Sequence, residues 1–347
     1  MSGDQDVQAP GFEESRSPIK IALDMKAIIR ERMDQLITEK LSKRYGNGNS
    51  SMALQEVSLS APSSGILALI GRNGAGKTTL VRILATELAP TSGSASINGI
   101  DVVKEDKRLR ERIAIVPQEA RTVAWMTPKQ ATLTYLMWRG FEYSEAKKRA
   151  EESLARLKLD KFADTLNRKL SGGTKRKALA AMVLASEADI IFLDEPTTGL
   201  DPISRRDFWE ILRELAKDRF IFLTTHYLEE AEQLADTLAV LGGGRLVAVG
   251  TVPSIRGRIR YQYSIKLSAN SPVPGVAQGE VTTGRNGEVQ ILTNEDEAFS
   301  ISKKLSVAGT RFSIGPVSLD DIFFQLVGES TQGEQEAATM GGGGASW

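Results

Sequence analysis

The sequence contains no cysteine and a single histidine among its 347 residues. Without cysteine the chain forms neither a disulfide nor a thiolate zinc site, and one histidine excludes a metal cluster built on several imidazoles. The absence of cysteine is in keeping with a reducing compartment.

Charge imbalance and long apolar runs are absent as well. Lysine plus arginine and aspartate plus glutamate number 44 each, so the net charge does not indicate nucleic acid or another polyanion as a partner. No apolar run approaches the ~18 residues that a membrane-spanning helix needs, and residues 1–18 are acidic and polar rather than signal-like. We therefore expect a chain that is soluble by itself and that reaches a membrane only through a partner.

The clearest motif occupies residues 71–79 and follows the apolar run Ile66–Ile70. Apolar residues recur at helical spacing after it, so the sequence predicts a strand, a loop and a helix. In that geometry the loop glycines let backbone N–H groups approach phosphate oxygens, Lys77 reaches the β- and γ-phosphates, and the Thr78 hydroxyl is a candidate Mg²⁺ ligand. A plain glycine-rich turn, the alternative, would leave Lys77 without a partner. The predicted nucleotide-binding residues of the motif are Gly71, Asn73, Gly74, Gly76, Lys77, Thr78 and Thr79.

Polar side chains also follow three further apolar strands: Gln118, the adjacent pair Asp194 and Glu195, and His226. Because the carboxyl ends of parallel strands meet at one edge of a sheet, we expect these side chains near Lys77. Asp194 is then a candidate Mg²⁺ ligand, directly or through water, Glu195 would polarise the attacking water, and His226 would contact the γ-phosphate. An ordinary surface glutamine and a structural histidine are the alternatives.

A second anion-binding pattern, Leu170–Gly173, precedes a helix that the sequence predicts over residues 178–186. Ser171 and the paired glycines at a helix start would present a hydroxyl and free N–H groups to an anion. One phosphate loop does not need a second anion site for the same phosphate. We therefore infer that this pattern serves the nucleotide of another subunit.

Two apolar segments allow more than one interpretation. Residues 23–37 have the spacing of an amphipathic helix, which we expect to dock on its own domain rather than on a partner or a membrane surface. An aromatic and methionine cluster lies in the helical segment 124–170, where core packing and a docking groove for a partner helix are both open. Its members are Trp125, Met126, Tyr135, Met137 and Trp138.

In order and spacing, these motifs resemble those of the nucleotide-binding subunit of an ATP-binding cassette (ABC) transporter. The resemblance covers roughly residues 38–253 and implies an α/β fold of the P-loop NTPase type, with a RecA-like core, a helical subdomain and an antiparallel β subdomain. The motifs that it assigns are the adenine-stacking aromatic (Tyr45), Walker A (71–79), the Q-loop (Gln118), the signature (170–173), Walker B (190–195), the D-loop (Asp201) and the switch histidine (His226).

The resemblance also implies an ATP-hydrolysing subunit that dimerises head to tail around two ATP molecules with Mg²⁺. Ser171 and Gly173 of one copy would complete the nucleotide site of the other, and Asp201 would also belong to that site. The implied catalytic residues are Lys77, Gln118, Glu195 and His226, and the implied Mg²⁺ ligands are Thr78, Gln118 and Asp194.

One departure from the family pattern bears on the direction of transport. Thr174 stands where many members carry glutamine, and the basic run 175–177 follows it. This variation is similar to the exporter branch that moves drugs, lipids or polysaccharides. A separate transmembrane permease would then dock near Trp125–Trp138 and hold the subunit at the cytoplasmic face of the cell membrane. An importer subunit and a soluble regulatory cassette ATPase are the alternatives.

The chain length exceeds that at which a single core usually stops growing, so we expect one large domain and a smaller one. After residue 253 the pattern changes to short strands and helices, which predicts a small α+β domain. The expected organisation is a disordered and then helical extension (1–36), the ATPase domain (37–253), an accessory α+β domain (254–328) and a disordered glycine-rich tail (329–347).

Overall fold

The computed structural model of the protein describes residues 35–46, 51–257, 261–268, 275, 279–283, 288–319 and 321–323. The glycine-rich tail and most of the N-terminal extension lie outside these ranges. Residues 35–37, which the sequence placed at the end of an amphipathic helix, instead begin a strand. The reason is that Leu36 is fully buried and pairs with Ala61 and Ile97 on the two neighbouring strands.

The described residues contain fourteen strands and nine α-helices. The strands are β1 (Gln35–Arg44), β2 (Met52–Pro62), β3 (Ile66–Ile70), β4 (Ser92–Ile97), β5 (Ile100–Asp101), β6 (Ile113–Val116), β7 (Ile190–Asp194), β8 (Phe220–Thr225), β9 (Thr237–Gly242), β10 (Arg245–Gly250), β11 (Tyr263–Leu267), β12 (Gly279–Thr283), β13 (Val289–Thr293) and β14 (Phe312–Pro316). The helices are α1 (Lys77–Leu84), α2 (Asp106–Arg112), α3 (Pro128–Trp138), α4 (Tyr143–Arg156), α5 (Gly172–Ala185), α6 (Pro202–Leu215), α7 (Leu228–Leu234), α8 (Val252–Arg256) and α9 (Glu295–Val307).

The central sheet has the strand order β10-β9-β3-β8-β7-β6, and only β10 runs antiparallel to its neighbour. Every residue of β3, β7 and β8 is buried, as expected for a parallel sheet that is covered on both faces. The register places Ile70 opposite Thr225, and Asp194 opposite Thr224. The segments that follow β3, β6, β7 and β8 therefore leave the sheet at one edge.

A second, antiparallel sheet has the order β2-β1-β4-β5 and shares a hydrophobic core with α1 and one face of the central sheet. Its β4–β5 hairpin turns at Asn98 and Gly99, whose φ values of 52° and 74° suit the two-residue hairpin of which an Asn-Gly pair is typical. This sheet is the antiparallel β unit that the family resemblance implied.

Helices α3, α4 and α5 pack on one another through small and branched apolar residues, among them Leu136, Ala146 and Ala185. The helix predicted to begin at residue 178 begins earlier, at Gly172. It does so because Ser171 is its N-cap, and the Ser171 hydroxyl accepts a hydrogen bond from the N–H of Thr174 at 3.2 Å. The basic run 175–177 thus lies in the first two turns of α5.

The accessory unit is a four-stranded antiparallel sheet of order β12-β13-β11-β14 with α9 on one face. On its other side, Leu292, Val317 and Ile322 join a hydrophobic cluster with residues of β3 and β9. The domain boundary expected at residue 37 falls inside β1, and the boundary expected at residue 253 falls inside α8. None of the described helices has the length and apolar character needed to cross a membrane.

Candidate active site

The loop between β3 and α1 has a backbone conformation that depends on its glycines. Gly74 and Gly76 have φ values of +81° and +100°, in the left-handed region that side chains disfavour. A Cβ on Gly76 would lie 2.4 Å from the Ala53 carbonyl oxygen, and one on Gly71 would lie 2.6 Å from the Leu241 carbonyl oxygen. Because α1 begins directly after Gly76, the partial positive charge of its N-terminus lies at the end of the loop.

A cavity of about 470 Å³ adjoins this loop. It brings together side chains that leave four different strands of the central sheet, as the sequence predicted. The residues that line it are Ala53, Asn73, Gly74, Gly76, Lys77, Thr78, Thr79, Gln118, Glu195, Thr198 and His226.

The carboxylate of Glu195 is the point on which the polar side chains converge. Its Oε1 lies 3.3 Å from Lys77 Nζ, and its Oε2 lies 3.0 Å from His226 Nδ1 and 3.3 Å from Gln118 Nε2. Lys77 also donates to the Gly71 carbonyl at 2.9 Å. The side chains of Lys77 and Glu195 are only 6% and 9% exposed, so their attraction is weakly screened by water.

The backbone at Glu195 is held in an unusual conformation. Its φ is +47°, which costs roughly 1–2 kcal/mol for a residue with a Cβ. The Glu195 N–H donates to both the carbonyl and the hydroxyl of Thr224, each at 3.1 Å. Such strain persists where the surroundings over-determine it, and it recurs at functional sites. Here β8 fixes the direction in which the Glu195 side chain leaves β7.

Asp194 lies behind the cavity rather than in its wall. It is 3% exposed, and its Oδ1 accepts a hydrogen bond from the Thr224 hydroxyl. Of the two modes expected for Asp194, contact with Mg²⁺ through water suits this position better than direct ligation.

Thr78 and Gln118 do line the cavity, and their hydroxyl and amide oxygens are of the hard type that Mg²⁺ prefers. Within the described part of the chain, no group of three His, Asp or Glu side chains could hold a metal ion. Mg²⁺ often binds through one or two protein oxygens together with nucleotide phosphates. The residues present fit a metal ion that arrives with the nucleotide.

Tyr45 is placed beside the start of α1, but it does not line the cavity. Its hydroxyl lies 3.4 Å from the Thr79 hydroxyl, and Lys43 Nζ lies 5.6 Å from the centre of its ring. The side chain is among the exposed large residues, at 40%. Stacking of Tyr45 on a purine remains a prediction.

Ser171, Gly173 and Asp201 also lie outside the cavity that contains Lys77. Ser171 caps α5, and its hydroxyl lies 2.8 Å from that of Thr174. Its contact with an anion remains a prediction. A Cβ on Gly173 would lie 2.5 Å from Ser204 Oγ, which shows how closely the starts of α5 and α6 approach. Asp201 caps α6, and hydrogen bonds from the Ser204 side chain and backbone hold the pKa of Asp201 below its usual value.

Two threonines of the site were missed at the sequence level. The Thr198 hydroxyl donates to Glu195 Oε2 at 3.4 Å. The Thr224 hydroxyl donates to Asp194 Oδ1 and accepts from the Glu195 N–H. Thr198 stands three residues after Glu195 in a run of turn-forming residues, a spacing that could have drawn attention to it. Thr224 is one of the two threonines that end β8, and only the strand order shows that it neighbours Asp194.

The aromatic cluster divides into exposed and partly buried members. Trp125, Met137 and Trp138 are 76%, 48% and 85% exposed, and we call these three residues the tryptophan surface. Met126 and Tyr135 are partly buried. Core packing, one of the two alternatives, is therefore wrong for the three members of the tryptophan surface.

Comparison with known proteins gives a consistent result. The sequence model of the family described as ABC transporter matches residues 54–198. The chain is 33% identical over 306 residues to the daunorubicin/doxorubicin resistance ATP-binding protein DrrA of Streptomyces peucetius, which covers 84% of this chain and 92% of that protein. It is also 30% identical over 338 residues to ABC transporter A family member 6 of Arabidopsis thaliana. The matched region covers 91% of this chain but only 35% of that longer protein.

The fold is similar to that of the bacterial ABC transporter cassette MJ0796, whose structure is described as dimeric. The TM-score is 0.57 at 24% sequence identity, and the likeness covers 62% of this chain and 98% of that chain. At this identity the likeness concerns the fold.

Proposed function

The chain belongs to the ABC transporter family and is an ATP-binding cassette ATPase; from this we propose that two copies close head to tail around two MgATP and drive export through a separate transmembrane subunit. The observation that carries the proposal is the convergence of Lys77, Gln118 and His226 on the carboxylate of Glu195, beside a phosphate loop.

Glu195 is the proposed general base. In this structure Glu195 Oε1 pairs with the Lys77 ammonium. When Lys77 pairs with the γ-phosphate instead, Oε1 of Glu195 becomes free. That oxygen then accepts the proton of the water that attacks the phosphate. His226 and Gln118 hold the other oxygen, Oε2, and so orient the carboxylate.

MgATP is the substrate, and the chain supplies its phosphate contacts. The loop N–H groups and Lys77 compensate the negative charge of the phosphates, while Thr78 and Gln118 reach the metal ion. Asp194, which Thr224 holds behind the cavity wall, would contact the metal ion through water. The ion itself would neutralise charge on the β- and γ-phosphates.

The second half of each site comes from the other copy. Ser171 and Gly173 lie outside the Lys77 cavity of their own chain, although the sequence marks them as an anion site. Helix α5 has no acidic residue in its first turn, so no carboxylate of that turn opposes a phosphate. The dimeric cassette of similar fold supports this arrangement.

The tryptophan surface is the proposed docking site of the transmembrane subunit. Exposed tryptophans are costly to hydrate and are enriched at protein interfaces. A drug-resistance ATP-binding protein among the relatives favours export over import. The subunit would then work at the cytoplasmic face of the membrane.

A pair of heterodimers tests the composite site. Ser171→Asp keeps the N-cap of α5, since aspartate caps as well as serine, but it places a carboxylate where the phosphate would lie. In one heterodimer Lys77→Ala and Ser171→Asp stand on different copies; in the other both stand on the same copy. If each site is built across the dimer, the first heterodimer keeps one intact site and the second keeps none. If each site lies within one chain, the first heterodimer keeps none and the second keeps one.

The measurement is ATP hydrolysis by heterodimers purified through two different affinity tags. Hydrolysis that survives only when the substitutions stand on different copies supports the proposal. Equal activity in the two heterodimers, or activity only when both substitutions share a copy, would contradict it.

A further inference from the structure

The imidazole of His226 lies at one end of a stack of three side chains. The other end of the stack is Arg205 on helix α6, and Tyr227 contacts both. The ring of Tyr227 lies against it, with ring centroids 4.1 Å apart and planes tilted by 38°. The guanidinium carbon of Arg205 lies 4.0 Å from the centre of the same tyrosine ring. Tyr227 therefore contacts both His226 and Arg205.

Arg205 is anchored by the element on which it stands. It belongs to the first turn of α6, and its N–H donates to the carbonyl of Asp201 at 2.9 Å. Asp201 in turn caps the helix through Ile203 and Ser204. The backbone of Arg205 is therefore held next to the segment that contains Asp201, and its guanidinium contacts Tyr227 from there.

A buried hydrogen bond holds the two helices together one turn further along. Trp209 Nε1 on α6 donates to Glu230 Oε1 on α7 at 3.0 Å, and Glu230 is fully buried. The Tyr227 N–H donates to the Thr225 hydroxyl at 2.9 Å, which fixes the backbone between β8 and α7. The tyrosine ring is thus constrained from its own backbone as well as from its two ring neighbours.

We propose that Tyr227 and Arg205 are positioning residues for the ATPase reaction: their stack fixes the His226 ring with Nδ1 on Glu195, so that the ring orients this carboxylate. The inference rests on the proposed function for the role of Glu195 as general base. A cation on the face of an aromatic ring is worth about 0.5–2 kcal/mol, enough to favour one ring orientation over another. The position of Asp201 is thereby linked to that of the general base.

Because His226 is the only histidine of the chain, its ring can be observed without assignment. Nitrogen NMR of ¹⁵N-histidine-labelled protein without nucleotide reports which ring nitrogen carries the proton. In the native protein we expect mainly the tautomer with the proton on Nδ1, which donates to the carboxylate of Glu195. Tyr227→Leu and Arg205→Met should each produce a mixture of tautomers, whereas Tyr227→Phe, which keeps the ring, should not.

Turnover provides the second readout. Tyr227→Leu should lower kcat by roughly 10- to 100-fold, the usual effect of a misplaced catalytic group, and leave the MgATP dissociation constant unchanged because the phosphate loop is untouched. Tyr227→Phe should keep most of the turnover. Tyr143→Leu, at an exposed tyrosine on α4, is the matched control and should behave as the native protein.

Two results would overturn the inference: a single Nδ1 tautomer in both Tyr227→Leu and Arg205→Met, or native turnover in both. If Tyr227→Leu does not fold, Arg205→Met tests the same stack from its other end. The NMR measurement uses no nucleotide, so it distinguishes a failure of the stack from a failure of the proposed function, which would appear as native protein that does not hydrolyse ATP.

Discussion

Glu195 combines three features that rarely occur together in one residue. Its side chain is nearly buried, its backbone has a positive φ, and three other side chains that leave the same edge of the sheet converge on it. A buried carboxylate is stable only when hydrogen bonds and charges compensate for lost water. Lys77, Gln118 and His226 provide that compensation, so the same contacts that stabilise the acid also aim it.

Glu195→Gln tests the role of this acid. Glutamine keeps the shape and the hydrogen-bond acceptor but cannot take a proton, so turnover should fall by about 10²- to 10⁴-fold while MgATP still binds. Nucleotide binding by fluorescence and phosphate release in the same preparation measure the two effects. Glu152→Gln, on the exposed face of α4, is the control. Native turnover in Glu195→Gln would exclude the residue as the base.

Glu230 gives rise to a prediction about stability rather than turnover. Burial raises its pKa, although the nearby hydroxyls of Thr225 and Thr197, the hydrogen bond from Trp209 and the charge of Arg205 act in the opposite direction. The folded state then holds the proton more tightly than the unfolded chain does. The contribution of Glu230 to stability is complete below the unfolded pKa and is lost as pH rises through the raised folded pKa.

Glu230→Gln removes this dependence, since glutamine carries no charge and still accepts from Trp209. We therefore compare the free energies of unfolding of the variant and the native protein. The variant minus the native value should increase as pH rises above about 4.5, the pKa of the glutamate in the unfolded chain. Urea unfolding between pH 5 and pH 8 measures it, with Glu229→Gln at the exposed neighbouring position as control. If the difference in free energy of unfolding does not change with pH, the ionisation of Glu230 does not destabilise the folded state and the prediction is wrong.

At the scale of elements, the sequence predicted the strands that carry the site, because each is an uninterrupted apolar run that ends in a polar residue. Helix α9 begins at Glu295 because Asn294 is a strong N-cap before three acidic residues. The start of α5 was wrong by six residues. Paired glycines disfavour a helix by propensity, and the capping bond of Ser171 outweighs that preference.

The order of strands in the central sheet could not be obtained from local pattern. β3 lies between β8 and β9, which follow it by about 150 residues, and long-range contacts of that kind leave no periodic signal. For the same reason the sequence did not show that Thr224 would contact Asp194, or that Trp209 would satisfy Glu230.

The phosphate loop allows a matched comparison of two glycines. Both Gly74 and Gly76 have positive φ, but a Cβ at Gly74 meets nothing within 4 Å, whereas at Gly76 it meets Ala53 and Leu54. Gly74→Ala should lower the free energy of unfolding by about 1 kcal/mol, through backbone conformation alone. Gly76→Ala should lower it by about 1–3 kcal/mol more than that, because the new Cβ also meets a steric conflict. Urea unfolding without nucleotide measures both, and equal losses would contradict the packing described for this loop.

At the scale of the whole molecule, the site and the tryptophan surface lie on different units. The Lys77 cavity is built at the edge of the central sheet, and the tryptophan surface belongs to the helical unit and to the segment before it. Helix α5 carries Ser171 at its N-terminus and packs on α3, which ends at Trp138. Movement at the start of α5 can therefore reach the tryptophan surface through packed helices.

Trp138→Glu should abolish association with the membrane subunit and leave the ATPase activity of the isolated chain unchanged. The reason is that Trp138 is 85% exposed and is remote from the cavity lining. Co-purification from detergent-solubilised membranes with the tagged chain measures association. Phe299→Glu, at a 57% exposed aromatic residue on α9, is the control. If both variants retain the membrane subunit, docking occurs elsewhere.

The hydrophobic cluster shared by β3 and the accessory unit has a consequence for synthesis. Ala68 and Ile70, next to the phosphate loop, are covered in part by Leu319 and Ile322, which leave the ribosome about 250 residues later. At translation rates of 5–20 residues per second that interval lasts roughly 10–50 s. During it the nascent ATPase unit presents an apolar face that the rest of its own chain has yet to cover, which makes this the stage of its life most exposed to aggregation.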